Sequence, residues 1–108
     1  MGHRKDKLQG TLDLLVLRTL ADAPMHGTSI ADRIAEASAD VLRVEEGSLY
    51  PALHRMEEAG WVKSEWKASA NNRRARYYQI TSSGRRHLEQ IERRWTAHVN
   101  AVMGVLKA

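Results

Sequence analysis

Residues 45–62 of the chain run EEGSLYPALHRMEEAGWV. They place a hydroxyl (Ser48), a phenol (Tyr50), an imidazole (His54) and a guanidinium (Arg55) within a short span. No carboxylate, thiol or second imidazole is spaced to make these groups a catalytic set, so the chemistry they support is recognition. Gly47 and Ser48 let a backbone come close to a partner. If a helix starts at this point, its free N–H groups and partial positive charge suit a phosphate. Pro51 is tolerated in the first turn of a helix, where its missing N–H has no intrahelical acceptor, which sets the start near Glu46 or Gly47. Leu49, Leu53 and Met56 recur at i, i+4 and i+7 and take the opposite, core-facing side. Glu45 and Glu46 suit a helix N-terminus. Glu57 and Glu58 must point away from any anionic partner. The plainer reading is an amphipathic surface helix with solvated Tyr and Arg side chains.

A second constellation is electrostatic. Lys67, Arg73, Arg74 and Arg76 fall in a stretch from 67 to 76 that contains no acidic residue. Four clustered cations repel one another unless an anion neutralises them. The plainer reading is a solvated loop. A third constellation is apolar: Leu88, Ile91, Trp95, Val99, Val102 and Leu106 follow a heptad-like spacing. Glu89 and Arg93 form an i, i+4 pair on another face. Trp95 sits in the middle of this seam, where an aromatic serves packing or a ligand platform.

The elements that hold these groups follow from the pattern. GTLDLLVLRTLADA reads as a first helix, with Thr11 as N-cap and Asp13 in its first turn. Its leucines and Val16 cover nearly the whole circumference, so it is expected to be buried on more than one side, and Pro24 ends it. HGTSIADRIAEAS is a shorter second helix, followed by a loop with a short strand expected near Val44. The stretch from Glu45 is the third helix, stopped by Gly60 at the C′ position. WVKSEWK and ARYYQI read as two strands joined by ASANNRR, in which Asn71 and Asn72 tolerate left-handed backbone. From Thr81, an N-cap, one long helix runs to the end, roughly 40 Å at 1.5 Å per residue.

Helix, helix, helix, hairpin, helix is the order of a winged helix-turn-helix with an added helix. The expected fold is mainly α with a small β-hairpin. Residues 1–80 would form a winged helix-turn-helix DNA-binding domain and 81–108 a C-terminal dimerisation helix. In such a motif the N-terminal residues of the third helix face bases and phosphates in the major groove. The basic wing lies along the backbone or inserts an Arg into the minor groove. His54, Arg55 and Ser48 are the candidates to read base edges. The seam of the last helix, with Leu12 and Leu15 of the first, is the expected homodimer interface. The alternative is a last helix folded back on its own domain.

Composition bounds the partners. The chain has 108 residues, a formal net charge of +4 and no cysteine, with a pI near 9.8. This suggests one domain, an anionic partner and a reducing, cytoplasmic setting without disulfides or thiolate metal sites. No apolar run approaches the roughly 20 residues of a membrane span. The five histidines show no HxxxH or HExxH spacing, and no phosphate loop or activated nucleophile is present. No metal, cofactor or catalytic residue is expected, and the protein is read as a non-enzyme.

GTLDLLVLRTL, HGTSIADRI, EEGSLYPALHRMEEAGWV and RARYYQITSSGRRHL together resemble the PadR family of transcriptional regulators, in particular its short members with a single C-terminal helix. The likeness runs from about Leu8 to Leu106, and the run from Gly47 through Leu-Tyr-Pro to Gly60 is its most specific part. It implies a dimeric winged-helix repressor on a roughly palindromic double-stranded operator. Ser48, Tyr50, Pro51, His54 and Arg55 would meet the DNA, and the wing arginines would touch its backbone or minor groove. It also implies release by a small aromatic effector, with Trp95 in the region where such compounds stack. The second helix departs from the family pattern, because Thr28 follows Gly27 where an aromatic is common. The competing reading is a winged-helix module that docks a protein and binds no specific DNA.

Overall fold

The structure, a computed structural model, describes residues 2–68 and 70–108, with side chains from Gly10 onward. The elements are α1 (Gly2–Asp22), β1 (Met25–His26), α2 (Gly27–Ala37), α3 (Glu46–Glu58), β2 (Val62–Ala68), β3 (Arg74–Ile80) and α4 (Ser82–Lys107). The expected mainly helical winged helix-turn-helix with a long last helix is the observed architecture.

α1 begins well before the expected Thr11 cap, so Thr11 and Asp13 lie inside the helix. Arg4, Lys5, Lys7, Leu8 and Gln9 are good helix formers with no proline among them, and Gly10 costs a helix only about 1 kcal/mol. One side of α1, carrying Val16, Leu17 and Leu20, is fully buried; Leu12, Leu14 and Leu15 pack on the core at its margin. Ile30 and Ile34 of α2, and Leu49, Ala52, Leu53 and Met56 of α3, close the core from the other sides.

α2 ends without glycine. Ala39 and Asp40 both adopt positive φ, at 51° and 65°, while their N–H groups donate to the carbonyls of Glu36 and Ala35. This is Schellman geometry built from residues that pay a steric penalty for it. α3 ends in the same motif with the preferred residue. Gly60 has φ 82°, its N–H donates to Glu57 O, and the Trp61 N–H donates to Met56 O.

The loop before α3 holds no strand. Val44 instead packs as coil against the core, and the third strand is β1, which pairs antiparallel with β3 through Met25↔Tyr78 and His26↔Tyr77. Two residues are too few for alternation to announce a strand. β2 and β3 form the expected hairpin, in register from Val62↔Ile80 to Ala68↔Arg74. Asn72 supplies the left-handed position of its turn at φ 60°. Val62, Tyr78 and Ile80 bury the base of the hairpin, whereas its outer half is exposed.

Thr81 caps α4 by accepting the Gly84 N–H at 3.0 Å. Its hydroxyl donates to Gly60 O at 2.6 Å, and its own N–H donates to Trp61 O. α4 starts inside the core: Gly84 and Leu88 are buried, and a Cβ added at Gly84 would collide with the Trp61 carbonyl. From Glu92 on, every residue of α4 is exposed. The radius of gyration is 15.0 Å and the longest extent 55 Å, against about 13 Å expected of a compact chain this size. Among the described residues no helix is long and apolar enough to cross a membrane.

Candidate nucleic-acid interface

α3 starts at Glu46, as its Pro51 suggests, but Pro51 is then its sixth residue and lies in the second turn. The bond it cannot donate would run to the Gly47 carbonyl, four residues back. Gly47 itself is exposed. Ser48, Tyr50, Pro51 and His54 are exposed on the same helix, opposite the buried Leu49, Leu53 and Met56. Tyr50 also serves the fold. Its ring and hydroxyl lie where a Cβ on Gly27 would be, within 2.7–2.9 Å. The glycine at the start of α2 therefore seats the tyrosine that opens the exposed face of α3.

His54 Nε2 lies 2.6 Å from Glu58 Oε1, an exposed i, i+4 pair. Arg55 does not share the exposed face of His54. Its Nη1 and Nη2 donate to Asp13 Oδ2 and Oδ1 at 2.9 and 2.8 Å. The bidentate pair joins α3 to α1, with the carboxylate buried and the guanidinium part-exposed. Hydrogen bonding to Asp13 raises the pKa of Arg55 above its already high value, so the cation is permanent. Sequence reasoning placed Asp13 at a helix N-terminus and missed this partner. The available signal was a carboxylate amid TLDLLVL, on a helix with little polar surface. A buried charge needs a counter-charge.

The wing cations are not four free charges. Lys67 Nζ lies 3.2 Å from Glu65 Oε1, just outside the stretch without acids. Arg76 is tied to Glu57 and Ser64. Arg74 lies over the Trp66 ring at 5.7 Å, and Arg73 and Arg74 are exposed at the turn. Trp66 is 56% exposed, which nothing in the sequence announces, because strand tryptophans are ordinarily packed. Glu57 and Glu58, which had to avoid an anionic partner, are the residues that hold Arg76 and His54.

Behind α3 lies a cavity of about 440 Å³ between α1 and α4. Arg55 and Asp13 form one wall, with Trp61, His87, Ile91 and Trp95 on others. Trp61 and His87 stack at 3.6 Å between centroids and 12° between planes. Burial in this contact lowers the pKa of His87 below the ordinary imidazole value. Trp95, expected in a dimer seam, thus borders a space large enough for a small planar molecule. Of the remaining seam residues, Leu88 is buried in its own chain's core and Ile91 packs against it. Val99, Val102 and Leu106 are exposed.

Comparison with known proteins places this geometry. A family model described as the transcriptional regulator PadR-like family matches residues 16–90. The transcriptional regulator Rv3488 of Mycobacterium tuberculosis is 34% identical over 91 residues, covering 84% of this chain and 81% of that one. Among solved structures, a transcriptional regulator from Clostridium thermocellum superimposes with a TM-score of 0.82 at 25% identity, covering 92% of this chain and 96% of that one. A PadR-like transcriptional regulator from Bacillus cereus gives 0.80 at 26% identity, with 95% and 98% covered.

Proposed function

The chain belongs to the transcriptional regulator PadR-like family, and on that premise we propose that it is a cytoplasmic repressor which grips a palindromic DNA operator as a homodimer and releases it when a small aromatic compound binds beside Trp95. The observation that carries the reading is the shared exposure of the N-terminal half of α3 and the cationic wing tip. Ser48, Tyr50, Pro51 and His54 would enter the major groove, with the α3 N-terminus toward a phosphate. Lys67, Arg73 and Arg74 would follow the backbone or minor groove. Arg55, clamped by Asp13, would reach a base only by leaving that pair; its first role in this reading is to fix α3 on α1.

Dimerisation is supported by the apolar stripe Trp95, Val99, Val102 and Leu106 on the projecting half of α4, with Leu12 and Leu15 of α1 as the facing surface. Pairing through these helices would set the two recognition helices about 34 Å apart, one turn of DNA. The cavity supports the effector part. A planar compound against Trp95 and the Trp61–His87 stack would sit between α1 and α4, the elements that join the two half-sites. It shifts DNA affinity only by binding the two arrangements unequally.

Selection of bound sequences from random duplexes at about 0.15 M salt tests the proposal. A palindromic motif with half-sites one turn apart is the expected result. Salt-sensitive binding without sequence preference would leave an architectural binder. No binding would favour a protein-docking role. Titration of the protein–operator complex with planar aromatic compounds, read by Trp fluorescence and by release of DNA, tests the effector.

A further inference from the structure

Glu57, Ser64 and Arg76 close a hydrogen-bonded ring between the end of α3 and the facing strands of the wing. Ser64 Oγ donates to Glu57 Oε2 at 2.7 Å. Arg76 Nε donates to Ser64 Oγ at 2.8 Å. Arg76 Nη2 donates to both carboxylate oxygens, at 3.1 and 3.3 Å. The guanidinium also lies 6.0 Å from the ring centres of both Trp66 and Tyr78. Nε and Nη2 of Arg76 are thus committed to the protein, although the side chain as a whole is 43% exposed.

The place of this ring in the fold gives it a task. Below it, Val62, Tyr78 and Ile80 fix the hairpin in the core. Beyond it, Trp66, Lys67, Ala68 and Arg74 are exposed on a two-stranded ribbon, a structure with little stiffness of its own. Among the described residues, the ring is thus the outermost side-chain tie between α3 and the wing. A duplex gripped by both requires a fixed angle between them, and a loose wing would lose affinity to the cost of ordering it on binding.

We infer that Glu57, Ser64 and Arg76 are positioning residues that set the angle between α3 and the wing, and that Arg76 is not a phosphate contact. This inference rests on the DNA-binding reading. It makes a prediction opposite in sign to simple electrostatics. Removing a carboxylate near a DNA-facing surface should tighten binding if charge alone mattered. The strut requires that Glu57→Gln weaken it.

The test compares Glu57→Gln, Arg76→Lys and Arg74→Ala with the parent, on the selected operator and on an unrelated duplex across a salt series. Glu57→Gln and Arg76→Lys should each lower operator affinity about tenfold, or about 1.4 kcal/mol, with unrelated DNA and the salt slope unchanged. Arg74→Ala should weaken both duplexes and reduce the slope by about one. Amide exchange across residues 62–80 of the free protein reads the strut without DNA. Glu57→Gln and Arg76→Lys should speed it, and Arg74→Ala should not. Equal or tighter operator binding by Glu57→Gln, or unchanged exchange, overturns the inference. So does a slope reduced by about one in Arg76→Ala, measured beside these variants on the same two duplexes. A parent with no sequence preference but with the expected exchange changes would instead remove the regulator reading and leave the strut standing.

Discussion

The winged head and the projecting half of α4 use the same apolar residue types to opposite ends. In the head, Val16, Leu17, Leu53 and Val62 are sealed from solvent. In the tail, Val99, Val102, Val105 and Leu106 are exposed, the last two by 76% and 72%. Buried apolar area stabilises at about 25 cal/mol per Å², so the head gains from its leucines at once. The tail gains nothing until a surface covers it. The head carries the information to fold; in the proposed homodimer, the tail carries the information to associate.

The sharpest way to break this contrast is at the joint between the two regions. Gly84→Ala places a Cβ against the Trp61 carbonyl and within 2.8 Å of Ile80 Cγ1. Neither can give way without moving α4 or the wing. The expected loss is above about 4 kcal/mol, seen as failure to fold or a collapsed circular-dichroism melt. A near-normal melt would show that α4 docks loosely.

Leu53→Ala, in the head, should cost about 2–5 kcal/mol by chemical denaturation. Asp13→Asn should cost less, about 1–3 kcal/mol, because it strands a guanidinium that water partly reaches. The same measurement checks it, and a neutral result would mean that Arg55 finds another partner. Acid provides a milder probe. His87 is held below its ordinary pKa by burial, so near pH 6 the unfolded chain binds more protons than the folded one. Its contribution to stability is complete above about pH 6.5 and falls as pH drops through the folded value. His87→Gln should flatten that part of the stability–pH curve. Val102→Ala should change the head least, within about 0.5 kcal/mol at concentrations where the chain is monomeric, yet weaken self-association in sedimentation experiments. Equal effects of Val102→Ala and Leu53→Ala on the monomer would erase the contrast.

The division also explains what the sequence disclosed. Periodic features were legible: the core side of α3, the hairpin and its Asn72 turn, the Thr81 cap, and the Gly60 stop all follow from local chemistry. Pairings between distant elements were not. Arg55 and Arg76 look alike in sequence, as unpaired cations of the third helix and the wing. Only the packing of α1 brings Asp13 to the first; the register of β2 and β3 brings Ser64 to the second, and the packing of α3 on β2 brings Glu57. β1 was hidden because two residues carry no period, and the early start of α1 because ordinary helix propensity needs no cap to announce itself. The cavity beside Trp95 draws its walls from α1, α3, Trp61 and α4, so no single stretch encodes it.

One consequence concerns how such a protein changes over time. Thr81 binds the carbonyls of both Gly60 and Trp61, so the chain enters and leaves the wing at a single stitched point. Beyond the buried base and the ring at Ser64 and Arg76, the wing can be rewritten cheaply, since doubling a flexible loop adds only about 0.6 kcal/mol of closure entropy. The tip between Ala68 and Arg74 is therefore open to insertion, deletion and exchange while the head stays intact. A lineage, or an engineer, can graft a new tip onto an old frame there.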